Sequence, residues 1–298
     1  MLDYKLLEAM VAVVQEGGFE KAAQVLHLTQ PAVSHRVKLL EELTGQILLV
    51  RTSPPKPTPA GQRMIKHCLQ VKGLEKNLLD MMSPSSQEDF VSMAVGINDD
   101  SLAIWFIKAV QPFLEQERVV LDMRVDDQEQ THRLLRDGEV MGCISSQDQP
   151  MQGCRTDKLG KMDYRLFATP DFATRWFPDG FNAEAVRRAP AVIFNRKDNL
   201  HGRLIRMLLG TGSVPDNIPV HYIPSSDRFV DFVALGFAYG VIPDQQSVPL
   251  VRAGKLINLV PSCKIPVELY WHCWNLKSRV LEKFTRNLVR QARMMLGE

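Results

Sequence analysis

FEKAAQVLHLTQPAVSHRVKLLEELTGQILLVRTSPPKPTPAG, residues 19–61, is the stretch from which the rest of the chain is read. Phe19, Ala22, Ala23 and Leu26 recur at i, i+3, i+4 and i+7, the spacing of one apolar helix face. A tight break falls at His27-Leu28. Thr29 then stands where an N-cap belongs, and Pro31 falls in the first turn, where a missing N–H costs nothing. A second helix is predicted from Gln30 to Thr44, ended by Gly45 as a C′ residue. Two short helices joined by a tight turn form the helix-turn-helix pattern, whose partner is double-stranded DNA.

On the second helix, Val33, Val37 and Leu40 fall on one side and are predicted to face the domain core. Ser34, His35 and Lys38 then point away from it. Gln30, Ser34 and His35 carry groups that can hydrogen-bond base edges. Thr29, with Pro31 beside it, and the free N–H groups of the first turn suit phosphate. Arg36 projects to the flank, which favours a phosphate contact. The plain alternative is a solvated face on an ordinary helical domain. Beyond Gly45, Ile47 to Val50 has strand character, and Arg51 and Lys56 bracket a proline-rich tip, as in a basic wing lying beside the groove. Residues 19–66 hold seven Lys/Arg and three Glu, whereas the whole chain is only +2. A modest local excess fits a sequence reader better than a non-specific polycation.

At 298 residues the chain suits two or three compact units. No N-terminal leader pattern is read, no apolar run is long enough for a membrane span, and the cytoplasm is the expected compartment. Five scattered cysteines (68, 143, 154, 263 and 273) make no CxxC pair and no zinc spacing. They are read as core residues, with a redox-sensing role as the alternative. No cofactor motif is found. Neither is a GxSxG, a GxGxxG after a strand, a Walker loop or an HExxH, so an enzyme is not expected. A secreted solute-binding protein would leave the helix-turn-helix without a purpose.

Thr58 to Met82 is predicted as one long helix. Its stripe of Met64, Cys68, Val71, Leu74, Leu78 and Met81 calls for a partner helix, with packing on its own domain as the alternative. Residues 83–89 are read as a polar hinge. Strand and helix patterns then alternate: Val91–Ile97, Leu102–Glu117, Val119–Val125, Thr131–Asp137, Met141–Ser145, and further segments to a final helix at Arg279–Leu296. This implies a mostly parallel sheet with crossover helices.

The runs GGFEKAAQVLHLTQPAVSHRVKLLE (17–41), LLVRT (48–52) and PTPAG (57–61) resemble the N-terminal domain of LysR-type transcriptional regulators. The segments DGEVMGCISS (137–146), FPDGFNAEAVRRAPAVIFNRKDNLH (177–201) and IPSSDRFVDFVALGFAYGVIPDQQ (223–246) are similar to the ArgP/LysG branch, which responds to lysine or arginine. The resemblance implies an all-α winged helix-turn-helix (1–58), a linker helix that pairs two subunits (59–82), a hinge (83–89), and a two-lobed α/β, periplasmic-binding-protein-like effector domain (90–298). Lobe I would span about 90–163 and 266–298, and lobe II about 164–265. It also implies a homodimer, assembled as a homotetramer, and a small effector in the inter-lobe cleft.

Ligands of open α/β sheets bind at the carboxyl ends of strands. The strand ends give the candidates Asn98, Asp99, Asp100, Ser101, Asp126, Asp127, Gln128, Ser145, Ser146, Asn195, Ser226 and Asp227. Ser101, at a helix start near Leu102, suits a carboxylate, and the aspartates suit an ammonium or guanidinium. Each Asp taken alone reads first as a cap or turn residue, the commoner role of Asp at strand ends; as a set around one cleft they point to a zwitterionic or cationic ligand.

Overall fold

The structure is a computed structural model that describes residues 2–82, 90–126, 131–210, 217–276 and 278–297, with the side chains of 76–82 outside the description. The expected hinge at 83–89 and the candidates Asp127 and Gln128 lie outside the described residues.

The N-terminal unit packs α1 (Tyr4–Gln15), α2 (Phe19–Val25) and α3 (Gln30–Thr44) around Leu7, Met10, Val13, Ala22, Val33, Val37 and Leu40. The turn between α2 and α3 is tight enough to hold His27 at a positive φ of 53°. Thr29 Oγ1 caps α3 by accepting from Ala32 N at 3.4 Å, and Gly45 closes it in the left-handed conformation. The wing is a two-residue ladder. Strand β1 (Leu49–Val50) pairs antiparallel with β2 (Lys56–Pro57). The strand expected from Ile47 begins two residues later, because Glu41 Oε1 takes Leu48 N (2.8 Å) and Leu49 N (3.2 Å) and ties the wing to α3.

Helix α4 (Pro59–Met82) follows, with Thr58 Oγ1 accepting from Gly61 N at its start. The expected partner-seeking stripe divides. Met64 and Cys68 pack in the core beside α1, while Leu74 is exposed. Cys68 and Met64 are therefore taken by their own domain; Val71 is half-buried, and the side chains of Leu78 and Met81 lie outside the described residues.

The C-terminal unit contains a nine-stranded sheet. Strands β3 (Val91–Ile97), β4 (Val119–Val125) and β5 (Gly142–Ser145) form one parallel group in the order β4-β3-β5. Two long strands follow, β6 (Cys154–Ala168) and, near the C-terminus, β11 (Ile265–Trp274). Strands β7 (Ala191–Ile193), β8 (Val220–Tyr222) and β9 (Tyr239–Pro243) form the second parallel group, and β10 (Ile257–Asn258) pairs with β6. The pair β6–β11 is antiparallel, and it joins β5 and β9 antiparallel as well. The mostly parallel sheet expected from strand–helix alternation is thus corrected to a mixed one. Each half is parallel, and the chain crosses between halves once in each direction, so the crossing strands oppose each other. Most of β6 escaped the sequence pattern because Arg155-Thr156-Asp157-Lys158 is a polar run that breaks the alternation and its register shifts opposite Leu269/Tyr270, where Gly160 sits at φ 145°.

Helices cover the sheet. Helix α5 (Asp99–Ser101) runs through a π turn (Leu102–Phe106) into α6 (Ile107–Leu114), and α7 (Thr131–Arg136) precedes β5. The second half carries α8 (Pro170–Trp176), α9 (Ala183–Arg188), α10 (Leu200–Leu209), α11 (Ser226–Ala234) and α12 (Asp244–Arg252), and α13 (Arg279–Leu296) closes the chain. The largest fully buried side chains are Trp105, Trp271, Tyr164, Tyr239, Phe106 and Phe284, and the Phe284 ring lies 5.2 Å from Phe113 and 5.5 Å from Trp271. Burying side chains of this size supplies most of the drive to fold.

Candidate functional site

The helix-turn-helix leaves a continuous solvent face. Thr29, Gln30, Pro31, His35 and Lys38 are exposed, and Ser34 and Arg36 are half-buried. Arg51 and Lys56 are exposed at the wing. Lys38 meets Glu42 at 3.7 Å, an exposed i,i+4 pair that is worth little and leaves the ammonium available. The opposite side of α3 is fully buried through Val33, Val37 and Leu40, so the polar side has no core to face.

The second site lies between the two halves of the sheet. The carboxyl ends of β3, β4, β7, β8 and β9 converge on it, bringing Asn98, Asp99, Asp100, Asp126, Phe194, Asp198, Leu200, His201, Ser226, Phe229 and Gln246 to one cleft, with Tyr164 from the crossing strand β6. Four of the residues lining it are aspartates, and the described lining holds no Lys or Arg.

One serine ties the halves together. Ser226, at the start of α11, donates its N–H to Asp99 Oδ2 at 2.5 Å and its hydroxyl to Asp100 Oδ1 at 2.6 Å. Tyr164 Oη donates to Asp100 Oδ2 at 2.7 Å. Gln246 Nε2 reaches Ser226 Oγ at 3.1 Å and Asp227 Oδ1 at 3.3 Å. Burial pushes the Asp100 carboxyl above its ordinary range. The hydroxyls of Ser226 and Tyr164 pull it back, and the neighbouring Asp99 and Asp198 raise it further. Burial alone lowers His201 to about 4, so its imidazole is neutral at pH 7. Two buried polar atoms among the cleft residues, Asn98 Oδ1 and His201 Nε2, have no hydrogen-bond partner. Such atoms are costly to bury and are commonly satisfied by something that binds.

Several sequence candidates fall elsewhere. The helix expected near Leu102 begins at Asp99, so its first turn carries Asp99 and Asp100 themselves, and Ser101 is buried within it. Two carboxylates at that helix start repel an anion, which removes the reason for placing a carboxylate beside Ser101. Asn195 Oδ1 is occupied by a local turn, accepting from Lys197 N (2.7 Å) and Asp198 N (3.2 Å). Ser145 Oγ accepts from Gln147 N, and Ser146 lines a separate depression with Arg203 and Glu268. Asp227 is at the exposed rim. The residues that sequence reading missed are Tyr164, Phe194, Asp198, His201 and Gln246. Asp198 and His201 stood in a quoted segment; their separation from the strand end by the Asn195 turn hid them. Tyr164 lies mid-strand, where no strand-end rule reaches.

The five cysteines are free thiols. Burial raises the thiols of Cys68, Cys143, Cys154 and Cys263, which lowers their reactivity. Among the described residues no group of three or more His, Cys, Asp or Glu has metal-binding geometry, and no helix is long and apolar enough to cross a membrane.

A winged helix-turn-helix, a long connecting helix and a two-part α/β unit with a cleft define a DNA-binding regulator coupled to a ligand-binding domain. The chain belongs to the LysR family: residues 4–62 match the bacterial regulatory helix-turn-helix protein, lysR family, and residues 93–293 match the LysR substrate binding domain. It is a DNA-binding transcriptional regulator with a C-terminal effector-binding domain. It is 39% identical to the HTH-type transcriptional regulator ArgP of Aeromonas salmonicida over 99% of this chain and 98% of that one. It superposes on ArgP from Mycobacterium tuberculosis with a TM-score of 0.86 at 34% identity, covering 98% of both chains. Full-length LysG from Corynebacterium glutamicum with bound effector Arg gives a TM-score of 0.79 at 30% identity, covering 99% of both.

Proposed function

We propose that this regulator senses a basic amino acid, arginine or lysine, in the cleft between the two halves of its effector domain. The observation that carries the reading is the charge of that cleft: Asp99, Asp100, Asp126 and Asp198 line it with no described cation among them. Asp99 and Asp198 already push the desolvated Asp100 carboxyl up, so a cation entering the cleft relieves a repulsion already present. A guanidinium or ammonium supplies donors that fit carboxylate acceptors, and Phe194 and Phe229 offer apolar surface to the aliphatic stem. The arginine bound to LysG is consistent with this chemistry.

Duplex DNA meets the other end. Gln30, Ser34 and His35 read base edges, and Thr29, Pro31, Arg36, Lys38, Arg51 and Lys56 position the helix and wing on the backbone. Helix α4 pairs two subunits through its stripe beyond Cys68, and two such dimers form the tetramer. A two-fold assembly matches an operator of two half-sites. Effector binding shifts the balance between lobe arrangements and so the spacing of the DNA-binding pairs.

Isothermal titration calorimetry of the full chain tests the reading with L-arginine, L-lysine, L-leucine and L-glutamate. Heat is expected for the first two only. No heat with either basic amino acid, or equal affinity for glutamate, overturns it.

A further inference from the structure

Helix α11 begins without a cap from its own sequence. Ser225 occupies the N-cap position in an extended conformation, and its side chain makes no capping hydrogen bond. The first N–H of the helix, on Ser226, instead points across the cleft to the Asp99 carboxylate. A carboxylate from the other half of the domain therefore sits at a nine-residue helix's N-terminus, where partial positive charge and free N–H groups collect. Asp99 holds this place against the like charge of its neighbour Asp100. Beside it, two cleft residues that are 4% exposed, Asn98 and His201, present Asn98 Oδ1 and His201 Nε2 without hydrogen-bond partners. Polar atoms buried in this way mark the same cleft as a place built for a polar ligand.

Resting on the basic amino-acid reading above, we infer that the N-terminus of α11 is the seat of the effector's α-carboxylate and that Asp99 competes for that seat. The chemistry closes on itself. In an amino acid the α-carboxylate and α-ammonium hang from one carbon. When the carboxylate takes the Ser226 N–H, Asp99 is released beside the α-ammonium, which it pairs with. Asp100, Asp126 and Asp198 line the rest of the cleft, on the side of the cationic side chain. One small shift exchanges a carboxylate–helix contact within the protein for the same contact with the ligand, and adds an ion pair. The start of α5 is the poorer seat, because its first turn already carries Asp99 and Asp100.

The test compares arginine with agmatine, which keeps the guanidinium and the amine but lacks the carboxylate, and lysine with cadaverine in the same way. Calorimetry on the full chain is expected to show arginine binding more tightly than agmatine. Asp99→Asn weakens the ammonium contact of both ligands alike but frees the seat for arginine alone. The ratio of the two Kd values is expected to widen by about three- to tenfold, the scale of an anion at a helix N-terminus. Ser226→Pro removes the N–H at a helix position that tolerates proline, behind a residue already extended, and is expected to bring the ratio towards one. Ser226→Ala keeps the N–H and is expected to keep the ratio. A ratio that Asp99→Asn leaves unchanged or narrows overturns the inference, as does collapse with Ser226→Ala equal to that with Ser226→Pro. Should Asp99→Asn fail to fold, the two Ser226 variants decide alone. Absence of heat with both arginine and lysine on the wild-type chain overturns the basic amino-acid reading together with this seat. Heat with an unmoved ratio overturns only the seat.

Discussion

The two ends of this molecule treat charge in opposite ways. At the recognition helix and wing, Lys38, Arg51 and Lys56 stand in solvent, each stabilised by water. In the cleft, Asp100 is half-buried, desolvated by the packing around it, and held by two hydroxyls. An exposed cation costs the fold almost nothing and acts at long range, so it suits a polyanion met in many registers. A buried carboxylate is expensive and acts only on what touches it, so it suits one small partner. The same elementary charge therefore gives steering at one end and selectivity at the other. The energetic consequences should differ accordingly, by residue and by salt.

The largest expected effect is in the cleft. Asp100→Ala removes the acceptor that Tyr164 Oη and Ser226 Oγ share and takes an anion from the ligand's side. Removing one partner of a buried charged pair costs about 2–5 kcal/mol, so arginine affinity is expected to fall by roughly 30-fold or more. Calorimetry measures it; a change under threefold would show that the buried and exposed charges are not so different after all. The same residue sets a pH dependence. The cleft groups facing Asp100 are Asp99, Asp126, Asp198, Tyr164 and His201. The folded Asp100 carboxyl is raised, so it binds its proton at a higher pH than the ordinary 3.8. Cation affinity is full where Asp100 is ionised and is lost as pH falls through the raised value. His201, lowered to about 4, stays neutral until the acid end of that range. Titrations between pH 7.5 and 4.5 are expected to show weakening that sets in above 3.8 and is absent from Asp100→Asn.

Second in size is the contact that joins the two ends. The backbone of Gly138, at φ 80°, lies so close to α4 that a Cβ there would stand 2.9 Å from Lys66 Cα. Leu69 of the same helix packs against Leu135, Val140, Cys143 and Trp274. Gly138→Val meets both a strained φ and backbone it cannot displace, and is expected to destabilise the chain by about 1–3 kcal/mol. Thermal unfolding followed by circular dichroism checks it. An unchanged midpoint would mean that this packing adds nothing to the fold.

The comparison also explains what could be read from the residues. In the helix-turn-helix, every decisive feature is local. Thr29, Gly45 and the Val33–Val37–Leu40 spacing are set within seventeen residues, and the helix bounds follow from them. The cleft is made by partners far apart in the chain, such as Ser226 with Asp99 and Tyr164 with Asp100. Strand-end logic found Asn98, Asp99, Asp100, Asp126 and Ser226, because each lies within four residues of a strand end. It missed Tyr164 inside a strand and Asp198 and His201 beyond a turn, and it admitted Asn195, whose acceptor a local turn consumes. The mixed sheet was hidden for the same reason. Alternation fixes the hand of each half, but nothing local records that β6 and β11 cross between halves in opposite directions.

Third comes the recognition face. Ser34 is half-buried on the flank of α3, between the buried Val33–Val37–Leu40 face and solvent, and a long charged side chain there would stand between helix and groove floor. Ser34→Arg is expected to lose about 1–3 kcal/mol of operator preference over unrelated DNA, with little change in folding. Gel-shift titration against both DNAs separates the two. Equal loss on both would mean that Ser34 carries no sequence information and that this face is only another exposed charge surface.

The smallest expected effect lies at the wing, where the contrast with the cleft is sharpest. Lys56 is exposed and its strand is two residues long, so nothing in the protein depends on its ammonium. On the proposed reading its contribution is the release of a counterion from one phosphate. Lys56→Ala should therefore weaken binding about equally on operator and unrelated DNA. It should lower the slope of log K against log salt by about 0.9 for each subunit on the duplex. The slope, measured by fluorescence anisotropy from 50 to 300 mM salt, discriminates more than the affinity does at any one concentration. An altered operator preference with an unaltered slope would make Lys56 a base reader, and the wing would then resemble the cleft in acting on what it touches.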